Sequence, residues 1–484
     1  VMEQSGIGEI SAMVKDCLRC GKCKPVCSTH VPRANLLYSP RNKILGTSLL
    51  IEAFLYEEQT RRGVSLAHWA EFDDVAAHCT VCHRCEKPCP VDIDFGDVTI
   101  AMRNLLRKQG KQKFNLGTTA AMTFLTIKDP MFIKGIREVM IRFGYAAQNK
   151  LYQLGKSLHL IQDQVAHPPA TVHKPAVRTQ IINFINKPMP GNLPKRSARA
   201  LLDIEDDKVI PVIRNPKLSA EESEAVFYFP GCGSERLFSQ VGLATQAMLY
   251  EVGATTVLPP GYLCCGYPQT SGGQEDKGQR ITTDNRVLFH RVANTLNYLD
   301  IKTVIVSCGT CMDQLQKYQF ERIFPGCRLL DIHEYLMEKG VKLDGVEGTR
   351  YMYHDPCHNP MKTYAPLMVT SELMGTAVPL NDRCCGESGT LAVTRPDIST
   401  QVRFRKQEEM EQGANELRAD GFAGQVKVLT SCPSCLQGLS RFRDDADTDA
   451  DYIVVELAKN ILGDNWMAEY VNRANTGSIE RVLL

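Results

Sequence analysis

Cysteine is the residue through which this sequence could do chemistry. It has 19 cysteines in 484 residues, and 18 of them fall into two kinds of repeat. Cys17, Cys20, Cys23 and Cys27 have the spacing C-x2-C-x2-C-x3-C, and Cys79, Cys82, Cys85 and Cys89 have it again. In the C-terminal half, Cys232, the pair Cys264–Cys265, Cys308 and Cys311 are answered in the same order by Cys357, the pair Cys384–Cys385, Cys432 and Cys435. Only Cys327 stands outside, and a lone cysteine of this kind is expected to be a buried thiol. Secreted disulfide scaffolds are short and poor in core. This chain is long and 43% apolar, so its clustered thiols point to metal or redox chemistry in a reducing compartment, with the cytoplasmic side as the default.

Three cysteines at two-residue spacing let the backbone wrap one cluster and donate amides to its sulfurs, while a remote fourth closes the site. In the bacterial ferredoxin run that fourth cysteine ligates the other cluster. The expected ligands are therefore Cys17, Cys20, Cys23 and Cys89 for one [4Fe–4S] cluster, and Cys79, Cys82, Cys85 and Cys27 for a second. Pro90 follows Cys89 as the pattern requires, whereas Ser28 stands after Cys27. The competing reading, structural zinc, uses two separated C-x2-C pairs.

The elements that must hold these thiols can be read from periodicity and breakers. Residues 1–100 read as short helices and loops around the first eight cysteines. Residues 101–165 have helical spacing, and 166–224 are rich in proline and read as an extended linker. From 225 onward, short β-rich runs alternate with helical ones. Val226–Phe229, Thr255–Leu258 and Thr303–Val306 are the strands expected in one unit, and Tyr351–Tyr353, Ala377–Leu380 and Val426–Leu429 those in the next. Strands separated by helices imply βαβ units with a parallel sheet, and each cysteine group falls just after a strand, where open α/β sheets form their sites. The fold class is thus multidomain α and α/β. A helical two-cluster ferredoxin-type domain (1–100) is followed by a basic helical segment (101–165), the linker (166–224), two tandem cysteine-rich domains (225–345 and 346–465) and a tail (466–484).

With these motifs in order, the chain resembles the iron–sulfur proteins that combine two ferredoxin clusters with two CCG domains. These include the iron–sulfur subunits of glycolate oxidase and of anaerobic glycerol-3-phosphate dehydrogenase, and the corresponding iron–sulfur subunit of heterodisulfide reductase. It is also similar to the C-terminal half of fused FAD/iron–sulfur D-2-hydroxyacid dehydrogenases. The resemblance covers about 1–100 and 225–460 and leaves 101–224 without a motif. It implies one or two further iron–sulfur clusters, at Cys232, Cys264, Cys265, Cys308 and Cys311 and at Cys357, Cys384, Cys385, Cys432 and Cys435. Adjacent thiolates cannot both be ordinary corners of one cubane without strain, which fits an unusual cluster. Zinc or a redox-active vicinal pair is the alternative. The gap before the cysteine pair is longer in the first copy, so the two sites need not be equivalent.

Exclusions narrow the function. A net charge of +1 excludes a globally basic nucleic-acid binder, so no nucleic-acid partner is expected. No stretch approaches 18 consecutive apolar residues, and no basic start precedes an apolar run, so neither a transmembrane helix nor a signal peptide is expected. The chain opens Val1-Met2, as a processed chain or a piece of a longer polypeptide would. No glycine-rich fingerprint sits between strand and helix, since Gly231-Cys-Gly233 lacks a third glycine. Organic two-electron oxidation needs a flavin or similar group to split its electrons. FAD is therefore expected on a partner dehydrogenase subunit or an upstream fused domain.

The resemblance then implies an electron-transfer component of a flavin-linked dehydrogenase for D-lactate, glycolate or D-2-hydroxyglutarate, with a quinone or membrane redox partner as acceptor. The alternative is a heterodisulfide reductase-type subunit that cleaves a disulfide at its CCG-bound clusters; a zinc scaffold is the third. His354 and His358 flank Cys357 and are expected to be hydrogen-bonded structural residues, or else to tune or protonate a cluster or substrate. Arg103 to Lys156 carries 11 Lys/Arg against Asp129 and Glu138. A solvated helix face is the plainer reading of that charge, and a peripheral position at the inner face of an anionic membrane, or on an acidic partner, is the other.

Overall fold

A computed structural model describes residues 5–31, 38–60, 63–112, 116–161, 173–191, 193–218, 223–387 and 391–484. Four helices, Gly6–Val14, Pro40–Gln59, Leu66–Ala77 and Phe95–Lys108, form the first unit. Ser5, Ser39, Ser65 and Asp94 start them, each side chain accepting a first-turn backbone N–H that would otherwise be unpaired. Ile10, Phe54, Trp69, Phe72, Met102 and Leu106 make their core. The two cysteine runs are turn-rich stretches after the first and third helices.

Among the described residues, ten strands build two sheets: β1 (Val209–Ile213), β2 (Ala225–Phe229), β3 (Thr255–Val257), β4 (Ile301–Val306), β5 (Arg328–Asp331), β6 (Thr349–His354), β7 (Leu380–Asn381), β8 (Gln425–Thr430), β9 (Asp449–Tyr452) and β10 (Ile479–Leu483). The first sheet has the order β10-β1-β3-β2-β4-β5 and the second β7-β6-β8-β9. Strands β3-β2-β4-β5 are parallel and repeat the parallel order of the second sheet strand for strand, so the sequence duplication is a duplication of βαβ units. A single core containing Tyr228, Ile305, Tyr335, Tyr353, Leu429 and Tyr452 joins the two sheets. At its centre the Tyr452 hydroxyl lies 2.7 Å from the Ser307 carbonyl and 2.9 Å from that of Ser431, the residues preceding Cys308 and Cys432.

Several expectations differ from this architecture. The described part of 166–224 is not simply extended: it contains the helices Val177–Ile185 and Ala198–Leu202, and β1, which pairs antiparallel with both β3 and β10. Pro211 lies inside β1, where its missing N–H is not needed for pairing. Pro168 and Pro169 lie outside the described residues. The expected tail, 466–484, supplies the helix Trp466–Arg473, whose Trp466 and Tyr470 enter the shared core, and β10. Of the expected strand Ala377–Leu380 only Leu380 is in a strand, the two-residue β7. Cys327 is only partly buried, in a turn where its N–H bonds the Phe324 carbonyl.

The basic segment is helical across Leu116–Thr126, Pro130–Arg137 and Ala146–Ser157, with a wider helical turn at Glu138–Tyr145. Two of its cations are structural rather than solvated. Arg103 donates to the carbonyls of Ala76, Cys79 and Ser271, and Arg137 to those of Arg236, Leu237 and Pro194.

Candidate metal centres

The eight ferredoxin-type cysteines surround two neighbouring cavities. The first, about 400 Å³ with its open mouth included, is lined by Cys17, Cys20, Cys23 and Cys89, and also by Cys85, which it shares with the second. The second, about 310 Å³, is lined by Cys27, Cys79, Cys82 and Cys85. The fourth cysteine of each run thus faces the cavity of the other run. The two loops share an unusual backbone: Arg19 and Gly21 in the first, and Val81 and His83 at the same places in the second, all have positive φ. Successive turns of this kind aim backbone N–H groups into a concavity that suits an anion. Val81 N–H lies 3.4 Å from the Cys79 Sγ, and Ile93 N–H 3.3 Å from that of Cys89. Val81, with φ 53°, is a β-branched residue held where such residues are strained.

In each cysteine-rich unit the five thiols lie close enough to shift one another's ionisation in an unbroken series. In the first it runs Cys232–Cys264–Cys265–Cys311–Cys308. In the second it runs Cys357–Cys384–Cys385–Cys435–Cys432, with 3.4 Å between the sulfurs of Cys385 and Cys435. The glycine after each pair explains the CCG motif. Gly266 and Gly386 have φ of 90° and 81°, a left-handed turn that brings the pair under the sheet edge. Gly386 N–H bonds back to the Cys384 Sγ at 3.5 Å. Bonds from Cys264 and Cys311 hold the Cys265 thiol down to about 6 against burial, and Cys311 does the same for Cys308. Cys357 and Cys385 hold Cys384 well below the usual thiol range. The thiolate is the form that binds metal, and an all-sulfur donor set suits soft iron–sulfur or zinc chemistry. Every cysteine is free of disulfides. Four thiols around each ferredoxin cavity, with inward backbone N–H groups, fit [4Fe–4S] clusters.

The second ferredoxin loop is pressed directly onto the second cysteine-rich site. Cys82 lies against Cys357, whose thiol holds that of Cys82 well below its ordinary range. Arg84, two residues on, donates to the carbonyls of Asp382 at 2.8 Å and Asp355 at 3.1 Å, each two residues ahead of a cysteine. His358 ties three units together. Its Nδ1 is 2.5 Å from Asp313 of the first cysteine-rich unit, and its Nε2 is 2.8 Å from the Val81 carbonyl and 3.0 Å from the Tyr267 hydroxyl. Burial pushes the Asp313 carboxyl up, but the bonds from His358 and Lys362 prevail and hold it below the usual range. Gly309 is a close-approach glycine, because a Cβ there would collide with the His358 carbonyl.

Sequence reasoning named the cysteines and both histidines but missed Arg84, Tyr267, Asp313 and Lys406. Position inside or beside a cysteine motif is the signal that could have found the first three. Lys406 gives no such signal: it sits in the charge-rich helix Pro396–Arg418 and reads as a solvent-facing cation, yet it is fully buried.

Comparison with known proteins follows the same division. The 4Fe-4S dicluster domain pattern matches residues 13–93, and the cysteine-rich domain pattern matches 226–316 and again 351–440. The chain thus combines a 4Fe-4S dicluster domain with two cysteine-rich domains, as the iron–sulfur subunits it resembles do. A further pattern, a domain of unknown function (DUF3400), covers 440–484, where the structure has β9, β10 and the helices between them. Among relatives of this iron–sulfur protein, the probable glycolate oxidase iron–sulfur subunit of Bacillus subtilis is 23% identical over 87% of each chain. One subunit of the dihydromethanophenazine:CoB–CoM heterodisulfide reductase of Methanosarcina barkeri is 22% identical over 92% of this chain and 93% of its own. An uncharacterized iron–sulfur protein of Methanocaldococcus jannaschii is 29% identical over 50% of this chain, which spans only 47% of that relative's length. No solved structure matches the chain significantly. Among the described residues, no helix is long and apolar enough to cross a membrane.

Proposed function

We propose that this iron–sulfur protein is the electron-transfer component of a flavin-linked D-2-hydroxyacid dehydrogenase of the lactate, glycolate or 2-hydroxyglutarate type. It would act between an FAD-carrying subunit or upstream domain and a quinone or membrane acceptor. The proposed ligand sets are Cys17, Cys20, Cys23 and Cys89; Cys79, Cys82, Cys85 and Cys27; and the five thiols of each cysteine-rich unit. When bound, such clusters supply one-electron transfer. The observation that carries this reading is the contact between Cys82 and Cys357, which makes the ferredoxin loop continuous with the second cysteine-rich site. Tyr452, bonded to the carbonyls beside Cys308 and Cys432, holds the two cysteine-rich sites side by side. Arg84, Tyr267 and His358 fix the seam between the loop and the sites. This arrangement suits a conductor more than an isolated catalytic centre. A position on the inner face of a membrane is supported by Met131, Phe132, Phe143 and Leu154, which are exposed on the helices that carry Lys134, Arg142 and Lys150.

The test uses the anaerobically prepared chain. Alone, it should take electrons from dithionite and fail to oxidise any 2-hydroxyacid; with the flavoprotein partner, substrate should bleach its visible absorbance. Oxidation of a 2-hydroxyacid by the flavin-free chain would overturn the reading. The near-complete overlap with the Methanosarcina barkeri protein favours a second reading, in which the chain with a reductant cleaves a thiol disulfide. Disulfide turnover, abolished by Cys265→Ala or Cys385→Ala, would put that reading first.

A further inference from the structure

The two cysteine-rich sites differ at one buried position. Phe229 closes β2 opposite Val306 of β4, and His354 closes β6 opposite Thr430 of β8, so the two residues are equivalent in the duplicated sheets. In the first unit the Phe229 ring packs on Phe289 and offers no ligand atom. In the second, His354 is completely buried, and a ring nitrogen lies in a group with the sulfurs of Cys385 and Cys435 whose members are all within 4.8 Å of one another.

The ring's hydrogen bonds identify the nitrogen that is available. Nδ1 is 3.0 Å from the Asn381 carbonyl and 3.0 Å from the Lys406 Nζ. The three protons of Lys406 already have oxygen acceptors: Glu409 Oε2 at 2.8 Å, the Asn381 carbonyl at 3.2 Å and the Asn381 side-chain oxygen. Nδ1 therefore carries a hydrogen and donates it to the Asn381 carbonyl. Nε2 is left as a bare lone pair, buried and without a hydrogen-bond partner. A metal-bound histidine has this arrangement, with one ring nitrogen donating to a backbone carbonyl and the other facing the metal.

We propose that His354 Nε2 is an iron ligand of the second cysteine-rich site, giving that site a nitrogen donor that the first lacks. Replacing thiolate by imidazole raises the potential of an iron–sulfur centre, so the second site should be the more easily reduced of the two. The inference rests on the second site holding a cluster, and iron content measured on the same samples separates loss of the cluster from loss of the histidine bond.

The test is pulsed electron paramagnetic resonance of the reduced, full-length chain grown with 15N-histidine. A directly bonded histidine nitrogen is expected in the wild type and in His83→Gln. It should disappear in His354→Cys, which puts a thiolate in the same place and should keep the iron while lowering the potential. His354→Phe, which copies the first site, should act in the same direction. Because the wild-type measurement needs no substitution, misfolding of a variant does not blunt the test. A full iron complement without histidine coupling, or coupling that survives in an iron-replete His354→Cys, overturns the proposal. A second site that holds no iron overturns it together with the cluster assignment.

Discussion

Arg84 should set the reduction potential at the junction between the ferredoxin loop and the second cysteine-rich site. Burial works against its charge, but the sulfurs of Cys357, Cys384 and Cys82 and the Asp355 carboxylate prevail, and its pKa is raised. Arg84→Met keeps most of the side-chain length and removes the charge. A unit charge about 6 Å from the added electron, at an effective dielectric near 20, is worth roughly 3 kcal/mol. At 59 mV per tenfold change for one electron, that is a ceiling of roughly 120 mV. The Arg84 side chain is 23% exposed, so solvent takes part of this, and a fall of about 60 mV is the working figure. The sign follows from the charge: without the cation, adding an electron is harder and the potential drops. Redox titration followed by electron paramagnetic resonance would measure it, with iron per chain checked in parallel. Arg84→Lys, which keeps the charge but not the two-carbonyl grip, should recover most of the shift. A potential unchanged in an iron-replete Arg84→Met protein would refute the electrostatic reasoning.

Crossed ligation predicts that Cys89→Ala damages the cluster of Cys17, Cys20 and Cys23, whereas Cys27→Ala damages that of Cys79, Cys82 and Cys85; spectra in which each substitution harms the cluster of its own run would reverse the assignment. Tyr452→Phe removes the one hydroxyl shared by the Ser307 and Ser431 carbonyls and should cost about 1–3 kcal/mol in anaerobic denaturant unfolding. A change within about 0.5 kcal/mol, the usual range of surface substitutions, would show the bridge to be dispensable. Arg441→Met strips the partner from Glu387, 3.1 Å away in a pair whose side chains are 0% and 2% exposed. It should destabilise by about 3–5 kcal/mol in the same assay, and a loss near zero would mean that the carboxyl finds another partner.

The cysteine spacing made the sites legible because a ligand motif is local: Cys17 to Cys27 declares its chemistry within one loop. Strands β2, β4, β6 and β8 were equally legible, since each is a short β-rich run that ends just before a cysteine. Strands β1 and β10 were not. Each finds its partners through pairing between distant segments, Val209 with Leu483 and Ile213 with Ile479, and neither segment carries a pattern of its own that demands a sheet. The seam was hidden for the same reason. That Cys82 meets Cys357, or that His358 reaches the Val81 carbonyl, depends on how separate units dock, and no spacing within either unit encodes it. Lys406 gave no signal because its burial is compensated by Glu409 and Asn381, contacts made only in the folded chain.

The two ferredoxin loops differ in what faces them. Cys20 is exposed at the mouth of the first cavity, with Leu18 beside it, whereas Cys82 lies beneath the second cysteine-rich unit with Tyr267 and His358 across its loop. A redox partner that touches the first loop comes directly against a thiol, whereas the second loop already faces another part of the same chain.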